Sequence, residues 1–234
     1  MPIPSNGENL QKVSAKNIIY QTVCEWIITG VLQPGEKILD SELARHFNVS
    51  RTPVREAIQI LERQKLIHVV PGRATVVAEL DLADSEKCYR TLAELQGLAA
   101  ELAAEQITEE ELTELERVLT AFEEACENGD ESSAITNDGR FHEIIVQASH
   151  NEYLEEFSHI MLLHIQRIKY HYFQSNRFRK TSAIHHRQIL ESLHRRDGQK
   201  AREQLRSHWL YAMERSIHDI AEKLKKQKKE ETED

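Results

Sequence analysis

Carboxylate and imidazole side chains in the C-terminal part of the chain have types and spacings that suit metal binding. Asp138 and His142 are four residues apart, which in a helix places both side chains on one face. His186 and His208 each share a helical face with apolar residues, so both imidazoles are expected to point inward. Neutral imidazole and carboxylate together suit zinc, nickel or a similar divalent transition metal. The alternative is that these histidines only pack in the core.

A divalent ion on these four side chains would keep one or two open positions, because such ions prefer five or six ligands. A small carboxylate or hydroxy acid would fill them, which predicts an organic-acid ligand. An open position could also activate water in a metal-dependent hydrolase. This second interpretation is disfavoured, because no general base accompanies the four ligands in the sequence.

A second group of residues, near the N-terminus, suits DNA recognition. Arg51 and Arg55 are one helical turn apart, so both guanidinium groups can point into a major groove and bind guanine. Ser50 and Thr52 suit contacts with phosphate. An exposed amphipathic helix can carry two arginines without reading DNA, so the surrounding elements decide between the two interpretations.

The elements around this segment follow the order of a winged helix-turn-helix domain. Helical spacing of apolar residues predicts two helices before the arginines and one that contains them. Two β-rich runs then flank Pro71-Gly72-Arg73, which predicts a hairpin. The predicted elements are a helix at 13–28, a short helix capped by Asp40 or Ser41, a helix capped by Ser50 or Thr52, and strands at 66–70 and 74–77.

After residue 78 the strand signal disappears and long helical patterns occupy the chain. We therefore expect a mainly α protein with a winged helix-turn-helix domain at 1–78, an all-α helical-bundle domain at 79–226 and a frayed, charged tail at 227–234. Thr108 with Glu111 three residues later predicts a capping box that begins the second of these helices, and Asn128-Gly129-Asp130 is expected to end it. The predicted helices of the second domain are 82–106, 108–128, 131–149, 151–173, 181–196 and 198–225.

Composition and charge restrict the class of protein further. The 234 residues have a net charge of −9, but residues 1–78 hold 9 basic and 7 acidic side chains, so the acidic excess lies elsewhere. The longest apolar run, 209–213, is far shorter than the roughly 20 residues that a membrane span needs. The N-terminus has no basic leader with an apolar core, so a cytoplasmic protein is expected.

The N-terminal residues resemble the GntR family of bacterial transcription regulators. The resemblance implies that Arg51, Thr52 and Arg55 face operator DNA, and that the hairpin tip at Gly72, next to Arg73, reaches a minor groove. The residues that carry it are Gly30, Leu32, Pro34-Gly35-Glu36, Leu43-Ala44 and the run from Val49 to Ala57.

Residues 82–215 resemble the all-helical FadR-type effector domain (FCD) of the same family, in its metal-binding branch. Members of that branch show D-x-x-x-H, a histidine before an Ile-Leu pair and a histidine 22 residues later. This pattern implies a metal site formed by Asp138, His142, His186 and His208.

The resemblance also assigns a role to Arg90. Arg90 with Glu94 resembles the R-x-x-x-E pattern of the first effector helix, which implies that Arg90 grips the effector carboxylate. A plain surface ion pair between these two residues is the alternative.

Together these observations predict a homodimeric, ligand-responsive repressor that binds a pseudo-palindromic operator and is not an enzyme. The expected cofactor is zinc or nickel, and the expected effector is a small carboxylate. A metal-free regulator with packing histidines is the closest alternative.

Overall fold

The computed structural model describes residues 14–70, 74–172 and 177–233 and separates the chain into two compact units, Met1–Glu79 and Leu80–Asp234. The prediction of a mainly helical chain with an N-terminal winged helix-turn-helix domain and an all-α second domain is confirmed. In the first unit the elements are α1 (Ala15–Ile28), β1 (Lys37–Ile38), α2 (Asp40–His46), α3 (Arg51–Arg63), β2 (Ile67–Val70) and β3 (Ala74–Val77).

The turn between α2 and α3 follows from local residue preferences. Asn48 ends α2 with a φ of 52°, a left-handed conformation that asparagine tolerates better than most residues. Ser50 occupies the N-cap of α3 in an extended conformation. The expectation that Asp40 or Ser41 caps α2 is wrong, because Leu39 is the N-cap and Asp40 already lies in the first turn. An acidic side chain there still interacts favourably with the helix dipole.

A three-stranded antiparallel sheet in the order β1-β3-β2 completes the first unit. β1 was not predicted, because a strand of two residues has no periodicity in the sequence. Gly35 turns the chain into β1 with a φ of 77°, and its N–H donates to the Val77 carbonyl at 3.0 Å. Gly72 and Arg73, which were expected to contact a minor groove, lie outside the described residues.

The second unit is all helical within the described residues. No helix there is both long and apolar enough to cross a membrane. α9 continues to Glu233, so the expectation of a frayed tail from residue 227 is wrong; lysine and glutamate, which dominate this segment, are good helix formers. The helices are α4 (Leu82–Gln106), α5 (Glu109–Asn128), α6 (Glu131–Ala148), α7 (Glu152–Tyr172), α8 (Arg177–His194) and α9 (Gly198–Glu233).

The caps at the α5–α6 connection fix where α6 begins. The predicted capping box at the start of α5 is confirmed: Thr108 N–H donates to Glu111 Oε2 at 2.8 Å, and Glu111 N–H donates to Thr108 Oγ1 at 3.2 Å. Gly129 ends α5 in the left-handed conformation. Asp130 then caps α6 by accepting from Ser133 N–H at 3.0 Å. The register of α6, which carries the first two candidate metal ligands, is thereby set.

The N-terminus of α9 packs closely against α4. Gly198, the first residue of α9, lies so close to α4 that a Cβ atom there would be 2.9 Å from the Glu101 carbonyl oxygen. Gly139 in α6 is the opposite case, because a Cβ atom there would meet nothing within 4 Å.

We expect Gly198→Ala to lower the free energy of unfolding by about 1–3 kcal/mol, because a backbone atom must move to admit the methyl group. Gly139→Ala should raise it by about 0.5–1 kcal/mol, because alanine favours an open helical position over glycine. Urea unfolding of both variants measures the two effects. Equal effects of the two substitutions would contradict this packing of α9 on α4.

Candidate functional site

The candidate DNA-contacting residues lie together on one face of α3. Arg51, Thr52 and Arg55 are exposed, and Ser50 at the N-cap makes no side-chain capping hydrogen bond. The opposite face of α3 is buried in the unit. The helix therefore presents basic and hydroxyl groups on its exposed side, at the end that helix-turn-helix proteins use to read base edges.

Arg55 has a partner on α2. Its Nε lies 3.5 Å from Asp40 Oδ2, and 65% of the Arg55 side chain is exposed. A pair this exposed contributes little to stability, so the guanidinium group remains available for another acceptor.

The four candidate metal ligands converge although they come from three helices. Asp138 and His142 are in α6, His186 is in α8 and His208 is in α9. One ligand atom of each lies within 4.8 Å of those of the other three. His186 Nε2 is 3.3 Å from His142 Nε2 and 3.6 Å from Asp138 Oδ1.

Aromatic rings hold the three imidazoles in place. The His186 ring stacks on Phe141 with centroids 4.4 Å apart, and the Trp209 ring lies 4.6 Å from the His142 ring and 5.4 Å from the His208 ring. All three histidines are buried, with His208 the most exposed at 3%. Their positions are therefore determined by packing in the core rather than by solvent-exposed contacts.

Burial also determines the charge of these groups. Desolvation lowers the pKa of His142 and of His208 well below 6.5. It lowers the pKa of His186 to about 4, although the Asp138 carboxylate opposes the shift. The three imidazoles are thus neutral at pH 7, which is the form that coordinates a metal ion.

The donor set fits a divalent transition metal. Three neutral imidazoles and one carboxylate are ligands that zinc and nickel accept. The Nδ1 atoms of all three histidines are buried and have no hydrogen-bond partner among the described residues. Buried imidazoles without such partners are costly unless another interaction compensates. The rings of His142 and His186 face each other through their Nε2 atoms, and a cation bound between them would interact with the lone pair of each.

A cavity of about 870 Å³ adjoins the cluster and is lined by Asp138 and His142 together with Gln96, Lys169 and Trp209. Lys169 Nζ lies 3.9 Å from Asp138 Oδ2 and 5.7 Å from the centre of the Trp209 ring. A cation therefore lies next to the candidate ligands, at a position where the acid group of a small molecule can reach it. Lys169 and Gln96 were not identified from the sequence.

Arg90, expected to grip the effector, lies elsewhere. It is 60% exposed, and its Nε and Nη2 donate to Glu86 Oε1 at 2.9 and 2.7 Å. The alternative pairing with Glu94 is not formed, because Glu94 accepts from Arg206 of α9 at 2.5 Å. Arg90 does not line the cavity, so the structure favours the surface ion pair, with a different partner.

The fold and the exposed basic face of α3 define a class of protein: a winged-helix DNA-binding regulator with an all-helical second domain. Residues 15–77 match the model of the bacterial regulatory proteins of the gntR family, and residues 87–211 match the FCD domain. The chain therefore belongs to the GntR family and carries an FCD domain. It is a DNA-binding transcriptional regulator and not an enzyme.

Similar proteins agree with this assignment. The chain is 32% identical over 206 residues to the HTH-type transcriptional regulator YdhC of Bacillus subtilis, covering 87% of this chain and 91% of that protein. It is 25% identical over 202 residues to the HTH-type transcriptional repressor RspR of Escherichia coli, covering 86% and 88%. The solved structure of E. coli McbR/YncC has the same fold, with a TM-score of 0.76 at 23% identity, covering 89% of this chain and 100% of that chain.

The lowered histidine pKa values predict how the metal-free protein responds to acid. The folded-state pKa of His186 is about 4 against an ordinary value of 6.5, so the unfolded chain binds more protons between these values. The free energy of unfolding should therefore fall as the pH falls through this window. Urea unfolding of chelator-treated protein from pH 7.5 to 4 measures it, and His186→Gln should flatten the curve. A wild-type curve that is already flat between pH 6.5 and 4 would contradict the burial of neutral imidazoles.

Proposed function

We propose that this regulator is a homodimeric repressor whose helical domain binds a divalent transition metal, zinc or nickel, together with a small organic acid that controls operator binding. The observation that carries the proposal is the convergence of Asp138, His142, His186 and His208 from three helices onto one point beside a cavity. The name of the relative RspR, a repressor, supports the direction of regulation.

The residues of this chain would hold the ion as a cross-link between helices. Asp138 and His142 would fix it to α6, His186 to α8 and His208 to α9. When bound, the metal supplies a positive charge and open positions for oxygen ligands. Because its ligands belong to three helices, occupancy would stabilise their packing as well as the site.

Charge supports an acid as the small molecule. The imidazoles are neutral, so a divalent ion, the Asp138 carboxylate and the Lys169 ammonium together carry a charge of +2 at the metal position. The glutamates that also line the cavity are exposed, so solvent screens them, and one of them pairs with Arg140: Glu143, Glu152, Glu155 and Glu156. Such a site attracts a carboxylate and opposes a cation. The metal-free alternative lacks this excess charge and would leave the buried histidines without a function.

Binding to DNA would use the exposed face of α3 in both protomers. Two copies on adjacent half-sites of a pseudo-palindromic operator match the symmetry of a homodimer. The acid would change the relative populations of DNA-binding and non-binding arrangements through its different affinity for them. Because this activity requires access to operator DNA, we infer that the protein acts in the cytoplasm.

For DNA recognition, we expect Arg55→Ala to weaken specific binding about tenfold or more per half-site, because a bidentate guanine contact is worth about 1–3 kcal/mol. Arg63→Ala is the matched control, since it removes the same charge from an exposed position at the other end of α3. The DNA is a duplex selected by wild-type protein from a random library, titrated at constant salt. Equal losses in both variants would contradict base recognition by Arg55.

For the metal, His208→Ala should lower both the zinc or nickel content and the melting temperature, because a ligand and a cross-link are lost together. His194→Ala is the control, because His194 is an exposed histidine of α8 that pairs with Glu116. Elemental analysis and thermal unfolding of untagged protein measure the two effects. Wild-type protein without stoichiometric metal, and with a melting temperature that neither zinc nor a chelator moves, would refute the metal site.

A further inference from the structure

Trp209 contacts two side chains that carry hydrogen-bond donors, Gln96 and Lys169, at the cavity next to the candidate metal site. Its indole Nε1–H donates to Gln96 Oε1 at 2.8 Å, and the Lys169 ammonium lies 5.7 Å from the centre of its ring. All three residues line the cavity together with Asp138 and His142. One side chain of α9 therefore positions one donor from α4 and another from α7.

The chemistry of the indole fixes the orientation of the Gln96 amide. An indole N–H can only donate, so the oxygen of the amide must be the atom that faces Trp209. The NH₂ group must then point away from Trp209. Gln96 is 0% exposed, and its Nε2 has no hydrogen-bond partner among the described residues. A buried amide N–H left without an acceptor costs about 1–3 kcal/mol, so an acceptor is expected when the site is in use.

Lys169 complements this donor. Its ammonium group is 3.9 Å from Asp138 Oδ2, which is longer than a direct hydrogen bond, and its side chain is 30% exposed. An acceptor beside Asp138 could therefore reach the ammonium without first breaking a tight ion pair. Over the face of Trp209 the cation also gains a favourable interaction with the ring.

We propose that Gln96 and Lys169 are specificity-determining residues that bind oxygen atoms of the effector and select hydroxycarboxylates over amino acids. This inference rests on the proposed function of the cavity. Gln96 Nε2 and Lys169 Nζ are donors only, so they bind carboxylate or hydroxyl oxygens. The ammonium of an amino acid offers them only further donors, and Lys169 repels its charge. The glutamates that line the cavity are exposed to solvent, so their attraction for an ammonium is weak. An acid that carries a hydroxyl where an amino acid carries its ammonium is therefore preferred.

The test compares matched acids on zinc-loaded, untagged full-length protein by isothermal titration calorimetry. The probes are L-lactate and L-malate with their amino counterparts L-alanine and L-aspartate, and citrate as a larger hydroxy acid. Wild-type protein should bind at least one hydroxy acid, and should bind L-lactate or L-malate more tightly than its amino counterpart.

Two substitutions address the two donors separately. Gln96→Glu keeps an acceptor for the Trp209 indole but replaces the donor by a negative charge, and Lys169→Met removes the ammonium while keeping most of the apolar stem. Each should raise the Kd of the hydroxy acids about tenfold or more, because a charged or buried hydrogen-bond partner is lost. Gln96→Glu should also reduce or reverse the preference for L-malate over L-aspartate. The zinc content should stay at the wild-type value.

Controls separate these effects from a general change of charge or fold. Gln188→Glu adds the same charge at an exposed position of α8, and Lys87→Met removes a lysine from the exposed surface of α4. Both should bind the acids as wild type does. If circular dichroism shows that Gln96→Glu does not fold, Gln96→Met removes the same donor at similar volume, and Lys169→Met remains an independent test.

The outcomes distinguish the inference from the function on which it rests. If wild type binds zinc and a hydroxy acid but Kd changes by less than about threefold in both the Gln96 and Lys169 variants, the inference is overturned and the proposed function stands. Equal affinity of wild type for hydroxy and amino acids also overturns it. Protein that takes up no zinc, or that binds none of the hydroxy acids when zinc-loaded, overturns the proposed function itself.

Discussion

The burial of three imidazoles beside a partly exposed carboxylate, between α6, α8 and α9, constrains the whole helical domain. Polar rings in a core must find partners, yet the Nδ1 atoms of His142, His186 and His208 have none among the described residues. Burial keeps these rings neutral, and aromatic neighbours fix their positions. An apolar cluster of similar volume would satisfy the core at lower cost. That a costly polar cluster lies beside a cavity is best explained by the binding of a ligand there.

Local signals in the sequence predicted much of this architecture. The Thr108–Glu111 capping box and Gly129 were recognised because caps depend on residues only a few positions apart. The spacing of Asp138 and His142 placed both on one face of a helix. That His186 and His208 would meet this face depended on how three helices pack, for which the resemblance to the FCD domain supplied the register.

Contacts between distant residues account for what the sequence did not predict. The alternative ion pair between Arg90 and Glu94 does not form because Glu94 has a partner on α9, Arg206, which no local spacing reveals. Lys169 was missed because its importance comes from neighbours on α6 and α9. Gln96 could have been found from the sequence, because it lies on the buried stripe of α4 with Leu92 and Ala93, where an apolar residue is expected. A polar residue at such a position is worth examining as a functional group.

Anomalous diffraction from crystals of untagged protein grown without chelator, recorded at the zinc and nickel absorption edges, reports directly whether the four side chains hold a metal ion. We expect one anomalous peak per chain between Asp138, His142, His186 and His208, at about 2.0–2.2 Å from a ligand atom of each. Well-ordered histidine rings with no anomalous peak between them, in crystals supplied with both metals, would contradict it.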